Sequence, residues 1–363
     1  MFRNIYKNKK VLITGHTGFK GSWLSIWLNS LGAKVYGISC DIPTQPSHYN
    51  YAKIYRFIKN YKFEINEYKK LKHTIDRIKP DFIFHLAAQS LVKKSILDPK
   101  RTWTSNLVGT MNILESLRNY KAKCSVVIIT SDKCYFNKEW SRGYKENDKL
   151  GAIDPYGASK SAAEILFKSY FETYYINSTN ISLATARAGN VIGGGDWAEN
   201  RLIPDCIKAW SKKQKVLIRN PKSTRPWQHV LEPLSGYLSL GANLYFSKKL
   251  SGQSFNFGPS ENKEYNVEDV VNLMSNDWKN VKWKIKLSKR DSFKESNLLK
   301  LNCKKAKYHL NWNATLNVKE TIKLTTNWYK NFYNNRKLTL IISLNQIEYY
   351  TQIAKKRKLS WTK

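Results

Sequence analysis

Residues 11–24 read VLITGHTGFKGSWL, and this stretch decides how the rest of the chain is interpreted. The run from Val11 to Thr14 predicts a buried strand, and a Gly-x-x-Gly-x-x-Gly loop follows it directly. Glycines let a backbone turn sharply and approach a pyrophosphate, and the helix that follows offers N–H groups and its positive end to that charge. We therefore predict a dinucleotide-binding loop, with a purely structural turn as the alternative. The expected cofactor contacts are Gly15, Thr17, Gly18, Phe19, Lys20 and Gly21.

Outward from this loop, short apolar runs alternate with amphipathic stretches. The expected strands are 11–14, 34–39, 82–85, 125–130 and 181–185, and helices are expected to begin near residues 21, 67, 99 and 155 and to span 230–246, 267–276 and 318–333. This alternation is typical of α/β proteins with a parallel sheet covered by helices on both faces. We predict a doubly wound, Rossmann-type domain in residues 1–187. A smaller C-terminal substrate domain is expected in residues 188–335, with some elements returning to the first domain, and a basic tail in residues 336–363.

Two strand ends add to the cofactor prediction. Asp41 lies twenty residues after Gly21, at the end of the second predicted strand. A carboxylate there can accept hydrogen bonds from an adenosine ribose diol and repels a 2′-phosphate, so NAD is favoured over NADP. The alternative is that Asp41 only begins the turn before Pro43. After the strand at 82–85, small residues let the backbone lie close to the cofactor: Leu86, Ala87 and Ala88.

Composition excludes several classes of protein. The chain has 363 residues, of which 42% are hydrophobic, enough to bury the cores of two domains. The net charge is +35, but lysine is spread evenly together with asparagine and tyrosine. This spread favours a compositional bias with solvated surface lysines, and attraction of an anionic substrate or partner is the alternative. The five cysteines include no Cys-x-x-Cys pair, so we expect neither disulfides nor a bound metal.

The N-terminus runs straight into a strand, without the long apolar region of a signal peptide. No apolar run approaches the length of a membrane span. We therefore expect a soluble, cytoplasmic protein that binds neither membrane nor nucleic acid. The cluster Lys355–Lys358 is interpreted as the end of a solvated helix, and a localisation or nucleic-acid patch is the alternative.

A second constellation has a catalytic pattern. Ser131 ends the strand at 125–130, and Tyr156 and Lys160 follow with the four-residue spacing that places two side chains on one helix face. A lysine ammonium there favours the phenolate of Tyr156, which turns a phenol of pKa about 10 into a usable base at neutral pH. Tyr-x-x-x-Lys alone is common on solvated helices. Its position after the nucleotide loop and Ser131 favours catalysis.

Four segments together resemble the extended short-chain dehydrogenase/reductase family, and within it the dehydratases that act on CDP-glucose. They are TGHTGFKGSWL from Thr14, TSDKCY from Thr130, AGNVIGGGDW from Ala188 and RPWQHVLEPLSGYL from Arg225. The resemblance covers essentially residues 9–333. It implies NAD as cofactor and the conversion of CDP-glucose to CDP-4-keto-6-deoxyglucose and water, in the synthesis of deoxysugars for surface polysaccharide such as O-antigen.

The resemblance also implies roles for individual residues. Tyr156 takes the proton of the sugar 4-hydroxyl, Ser131 binds the same oxygen, and Lys160 holds the cofactor ribose. Water is then eliminated by Asp132, as acid toward the 6-hydroxyl, and Lys133, as base toward carbon 5. The implied substrate contacts are Gln89, Asn190, Arg201, Arg225 and Asn256. A homodimer through the helices at 99–120 and 155–175 is implied as well.

The chain departs from the family pattern at Lys294, where the family has His, and at Asn302, where it has Asp. Both changes put contacts to cytosine or ribose in doubt. Other nucleotide-sugar 4,6-dehydratases and 4-epimerases of the family remain alternatives, although a simple epimerase does not need Lys133. An NAD-binding sensor is a further alternative, which the presence of Tyr156 disfavours.

Overall fold

A parallel sheet forms the centre of the computed structural model, which describes residues 1–218, 220–260, 265–278, 281, 283–285 and 298–363. In the described residues the strands are β1 Lys10–Thr14, β2 Lys34–Ser39, β3 Lys59–Lys62, β4 Phe82–His85, β5 Cys124–Ile129, β6 Ile181–Ala188, β7 Val191–Ile192, β8 Val216–Ile218, β9 Thr224–Arg225, β10 Gln228–His229, β11 Ser254–Phe257, β12 Tyr265–Asn266 and β13 Trp283–Ile285. The central sheet has the order β11-β6-β5-β4-β1-β2-β3. The remaining strands form two-stranded pairs, β10 with β7, β12 with β9 and β13 with β8.

The helices cover this sheet. They are α1 Phe19–Ser30, α2 His48–Tyr51, α3 Tyr68–Ile78, α4 Val92–Leu97, α5 Pro99–Trp103, α6 Gly109–Leu117, α7 Pro155–Tyr170, α8 Leu202–Ser211, α9 Leu231–Phe246, α10 Val267–Asp277, α11 Lys304–Leu310, α12 Val318–Asn334 and α13 Thr339–Lys356. Two π-helical turns, Thr104–Val108 and Phe171–Tyr175, continue α5 and α7. Short 3-10 turns lie at Phe2–Asn4, Ile54–Arg56, Asp132–Cys134, Lys248–Leu250, Arg336–Leu338 and Ser360–Thr362.

Burial explains why the central strands form. Every residue of β4, β5 and β6 is buried, as expected for parallel strands that helices cover on both faces. Thr14 is the register partner of His85, and His85 is in turn the partner of Ile128. Because all the strands of this sheet run in one direction, their carboxyl ends meet at one edge, which is where ligands bind in such folds.

The predicted α/β class and doubly wound parallel sheet are confirmed. The five expected strands are all present, within three residues at their ends. Two strands of the sheet were missed. Strand β3 is an exposed edge with the polar sequence Lys-Asn-Tyr-Lys, and β11 comes from a later part of the chain and pairs with β6.

The C-terminal segment packs on the first domain. Helix α13 buries Ile347 and Tyr350, while the basic cluster Lys355–Lys358 is exposed. Trp361 stacks on Phe2, with ring centroids 5.3 Å apart. Within the ranges given above, no helix combines the length and the apolar character that crossing a bilayer requires.

Candidate active site

The glycine-rich loop turns too tightly for side chains. Gly15 has a φ of +76°, and a Cβ there would lie 2.8 Å from the backbone nitrogen of Ala87. A Cβ on Gly21 would lie 2.1 Å from the carbonyl oxygen of Gly15. Gly18 begins α1 without a side-chain cap, so the first turn of this helix presents backbone N–H groups. An uncapped, backbone-lined helix start of this kind suits a pyrophosphate.

The segment after β4 is held firmly against this loop. His85 pairs through Nδ1 with the hydroxyl of Thr14 at 2.7 Å and through Nε2 with the hydroxyl of Thr110 at 3.2 Å. The N–H of Ala87 donates to the same Thr14 oxygen at 3.1 Å. Burial lowers the pKa of His85 to about 3, so this histidine is a neutral structural residue at physiological pH. The backbone of Ala87 therefore lies beside the loop, and the contact of Ala87 and Ala88 with a cofactor stays a prediction.

Asp41 lies after β2 with its carboxylate 60% exposed. The hydroxyl of Thr17 donates to the carbonyl oxygen of Asp41 at 2.6 Å, which joins the residue to the glycine-rich loop. Its carboxylate is 3.5 Å from a guanidinium nitrogen of Arg101. An exposed acidic side chain at this place is available to a ribose diol.

Four predicted catalytic side chains lie together and are buried: Ser131, Asp132, Tyr156 and Lys160. The hydroxyl of Ser131 donates to Asp132 Oδ1 at 2.9 Å, and the N–H of Lys133 donates to Ser131 at 3.2 Å. Lys160 donates through Nζ to the carbonyl oxygen of Ile129 at 3.2 Å. Pro155 opens α7, and this helix carries Tyr156 and Lys160 on one face against the end of β5. Lys133 is half-buried beside them.

Burial and nearby charge act on the ionisable groups of this cluster. Burial raises the pKa of Tyr156 to about 12, although a hydrogen bond to Ser131 and the charge of Arg201 oppose the rise. Burial lowers the pKa of Lys160 to about 8. Lys20 shows the same lowering, to about 8, because of burial and the neighbouring positive charge of Arg201. Two lysines of lowered pKa near a buried tyrosine indicate a functional site.

The carboxylate of Asp132 packs against the backbone of Gly189. A Cβ at Gly189 would come within 1.8 Å of Asp132 Oδ2, so only glycine leaves room for this carboxylate. The side-chain amide of Gln228 donates to the carbonyl oxygen of Gly189 at 2.9 Å and fixes that backbone. The sequence motif at 188–197 therefore positions the acid at 132.

Two cations extend the site. Arg201 donates to Asp196 at 2.8 Å, and its charge reaches Tyr156. Lys20 was predicted as a cofactor contact. Its ammonium is buried and lies 3.5 Å from the hydroxyl of Tyr237. The negative charge of Asp132 partly opposes the lowering of its pKa. The cleft is therefore rich in positive charge, which favours phosphate groups.

Other predicted substrate residues have different roles. Asn256 is 0% exposed, and its amide binds the hydroxyl of Tyr135 and the carbonyl oxygens of Tyr144 and Asn302, so it is a structural residue and does not reach a substrate. The amide of Gln89 is bound to the backbone of Leu91, and it also donates to Thr102. We correct the expectation for Asn256 because its amide is fully buried, whereas Gln89 is half-buried and its contact with the substrate stays a prediction.

The remaining predicted positions are less closely tied to the cluster. Asn190 adopts a φ of +48°, and its carbonyl oxygen accepts a hydrogen bond from the N–H of Gln228. Arg225 lies on β9 and donates to the carbonyl oxygen of Thr224 at 2.8 Å. Asn302 accepts through its side-chain oxygen from the N–H of Lys304, the first residue of α11, and an Asp carboxylate can accept the same hydrogen bond. Lys294 lies outside the described residues.

Sequence reasoning missed Asn106, which lies in the π-helical turn. Its amide accepts from the N–H of Gln89 at 2.8 Å, and it donates to the Gln89 carbonyl oxygen and to the hydroxyl of Ser159. It thus joins the cofactor strand end to α7. A single asparagine in an otherwise ordinary helical pattern gave no signal for this role. Across the residues that the structure describes, no group of three or more His, Cys, Asp or Glu side chains is placed to hold a metal ion.

Comparisons with known proteins agree with this geometry. Residues 12–325 match the family model described as GDP-mannose 4,6 dehydratase. The chain is 41% identical over 354 residues to CDP-glucose 4,6-dehydratase of Salmonella typhimurium, which covers 96% of this chain and 98% of the relative. It is 27% identical to a UDP-glucose 4-epimerase of Mycoplasma pneumoniae, over 73% of this chain and 80% of that one.

Solved structures share the fold at lower identity. An epimerase from Methanothermobacter thermautotrophicus has a TM-score of 0.79 at 21% identity, and covers 93% of this chain and 96% of its own. The dTDP-glucose 4,6-dehydratase of Bacillus anthracis, solved in complex with NAD, has a TM-score of 0.71 at 20% identity over 89% and 97%. By the family match and the 41% identical relative, this chain belongs to the nucleotide-sugar dehydratase and epimerase family of extended short-chain dehydrogenase/reductases.

Proposed function

We propose that this protein is a hydro-lyase that dehydrates CDP-glucose to CDP-4-keto-6-deoxyglucose with NAD as a tightly recycled cofactor. The observation that carries the proposal is the buried cluster of Ser131, Asp132, Tyr156 and Lys160, with Lys133 beside it. The similarity to CDP-glucose 4,6-dehydratase over nearly the whole chain supports the choice of nucleotide.

The residues present fit NAD. Gly15 and Gly21 leave only backbone beside the start of α1, and the exposed carboxylate of Asp41 would accept hydrogen bonds from the ribose diol. Bound NAD supplies a hydride acceptor at the start of the cycle and a hydride donor at its end. Lys160 would hold the nicotinamide ribose, and Ala87 and Ala88 would line the channel.

Tyr156 is the base for the first step. Its hydroxyl lies beside Ser131, and the hydrogen bond to Ser131 and the positive charge of Arg201 favour its phenolate. The phenolate removes the proton of the sugar 4-hydroxyl while Ser131 hydrogen-bonds the same oxygen. The ketone that forms at carbon 4 makes the proton on carbon 5 acidic.

Asp132 and Lys133 serve the elimination. Lys133, as the neutral amine, takes the proton from carbon 5, and Asp132, as the carboxylic acid, gives a proton to the departing 6-hydroxyl, so one water leaves. The backbone of Gly189 holds the Asp132 carboxylate in place for this step.

The diphosphate of the substrate is expected to meet cations of the cleft. Arg201, braced by Asp196, can form two parallel hydrogen bonds with a phosphate, and Arg225 is a second candidate. The product would enter the synthesis of deoxysugars for surface polysaccharide such as O-antigen, and the enzyme would work in the cytoplasm.

We also propose a homodimer through α5–α6 and α7. Apolar side chains on α5 and α7 are exposed in the single chain, with Trp103 at 36% and Ile165 at 61%. Exposed apolar side chains on neighbouring helices mark interaction surfaces. Light scattering at micromolar concentration tests this, since a monomer there would contradict it.

The function is tested by incubating the purified protein with NAD and, separately, CDP-glucose, dTDP-glucose, UDP-glucose and GDP-mannose. Product mass and the alkaline absorbance of a 4-keto sugar are read. Loss of water from CDP-glucose alone is the expected result. Loss from another nucleotide sugar keeps the mechanism and changes the substrate. Epimerisation, which preserves mass, or no conversion at all with NAD demonstrably bound, would overturn the dehydratase proposal.

A further inference from the structure

Glu164 is a buried carboxylate just behind the catalytic residues. It lies one turn after Lys160 and two turns after Tyr156 on the same face of α7 and is 3% exposed. Nothing in the reaction described above uses it. A buried acid on the catalytic face of a helix needs an explanation, because burying a charge is costly unless that charge is paired.

The carboxylate of Glu164 joins α7 to three neighbouring strands. Its oxygens accept hydrogen bonds from Thr130, from Thr185 at 2.9 Å and from Ser254 at 3.0 Å. Arg187 on β6 donates to it at 2.7 Å, and both side chains of this ion pair are almost fully buried. Thr130 directly precedes Ser131, so this hydrogen-bond network holds the residue next to the catalytic serine.

The charge of Glu164 acts on Lys160. Burial would raise the pKa of Glu164, but Arg187 and the hydroxyl donors hold it below its ordinary value, so the group is ionised. That negative charge opposes the fall in pKa that burial imposes on Lys160. The ionisable groups around this pair are Tyr156 and Lys168 on α7, Lys20 on α1, His85 on β4, Asp132 and Cys134 after β5, Glu146 before α7, Arg187 on β6 and Lys305 on α11.

We propose that Glu164 is a positioning residue of the dehydratase site, which keeps Lys160 as an ammonium cation and holds Thr130, and with it Ser131, against α7. The inference rests on the proposed function, since it assigns a role within that site. It follows that the charge of Lys160 depends on a residue that contacts neither substrate nor cofactor.

The test compares the wild type with Glu164→Gln and Glu164→Asp. The first readout is the pH dependence of kcat/KM for CDP-glucose. The second is the deprotonation of the Lys160 ammonium, followed by NMR of labelled lysine side chains and assigned by comparison with the Lys160→Met protein, which requires no turnover. In Glu164→Gln, we expect the alkaline limit of activity and the midpoint of Lys160 deprotonation both to fall by about one pH unit or more, because the ammonium loses a neighbouring negative charge. Glu164→Asp restores most of both values.

Further variants distinguish the effect of losing the Glu164 charge from the effect of a protein that fails to fold. Thr185→Val removes one hydrogen bond of Glu164 but keeps its charge, so both readouts should match the wild type. If Glu164→Gln does not fold because Arg187 is left unpaired, the double variant Glu164→Gln/Arg187→Met removes that charge too, and the same shifts are expected. Wild-type pH limits and Lys160 deprotonation in a folded protein that lacks the carboxylate would overturn the inference. Failure of the wild type to dehydrate any sugar would instead overturn the proposed function, and the Lys160 deprotonation would still test Glu164.

Discussion

Replacing Gly189 with alanine should disable the elimination step alone. The new Cβ would lie 1.8 Å from Oδ2, 2.0 Å from Cγ and 2.4 Å from Oδ1 of Asp132. Carbon atoms in contact are about 3.5 to 4 Å apart, so the carboxylate must move by about 1.5 Å or more. A displacement of about 1 Å in a catalytic geometry can cost on the order of 100-fold in rate. We expect kcat for water release to fall about 100-fold.

The assay follows water release by product mass and, in a single turnover, the absorbance of reduced nicotinamide. Because Tyr156 stays in place and Ser131 loses only its hydrogen bond to Asp132, oxidation at carbon 4 should proceed and the reduced absorbance should persist longer than in the wild type. Gly258→Ala is the matched control, since its Cβ would meet only ordinary contacts, the nearest 3.4 Å away on Leu301. A folded Gly189→Ala protein with wild-type kcat would refute the placement of Asp132 as the acid.

Three further results are expected. Tyr156→Phe should lower kcat by about 100-fold to 10,000-fold, whereas NAD binding, followed by tryptophan fluorescence, should be unchanged. A kcat close to that of the wild type would exclude Tyr156 as the base. Asp41→Ala should raise kcat/KM with NADP relative to NAD, because a 2′-phosphate would then meet Arg101 without a neighbouring carboxylate; an unchanged preference would refute the ribose contact. Burial raises the pKa of Glu232, which binds Tyr350, to about 7. Since its folded pKa exceeds its unfolded value, the stabilisation that Glu232 contributes should fall by roughly 3 kcal/mol as pH rises from about 4.5 through 7, measured as the difference in urea unfolding free energy between the wild type and Glu232→Gln; a pH-independent difference would contradict this.

The fold was predictable where local pattern and burial agree. Strands β4 and β5 are continuous apolar runs and were placed within a residue or two, because burial on both faces leaves a strong signal. The edge strand Lys59–Lys62 has no such signal, because its side chains are mostly exposed. Ser254–Phe257 carries apolar residues, but no local feature tells which sheet a short strand will join.

Only those parts of the site whose residues lie close together in the chain could be predicted from the sequence. Tyr156 and Lys160 share a helix face by spacing alone, and Ser131 ends a strand that the pattern reveals. The roles of Glu164 and Gly189 depend on partners far along the chain, such as Ser254 and Asp132, so sequence reasoning could not assign them. Asn256 shows the opposite error, since a residue that fits a family motif proved to be wholly engaged in packing.

The position of β11 beside β6 also bears on how the protein is synthesised. During translation, the residues of β1 to β6 leave the ribosome well before Ser254, so the edge of β6 stays unpaired and prone to association with other nascent chains. Ser254 and Asn256 complete the hydrogen bonds of Glu164 and Tyr135 only when this late strand docks. The nascent chain can therefore form most of its nucleotide-binding fold early. The hydrogen bonds that β11 makes with Glu164 and Tyr135, behind the catalytic residues, form only near the end of folding.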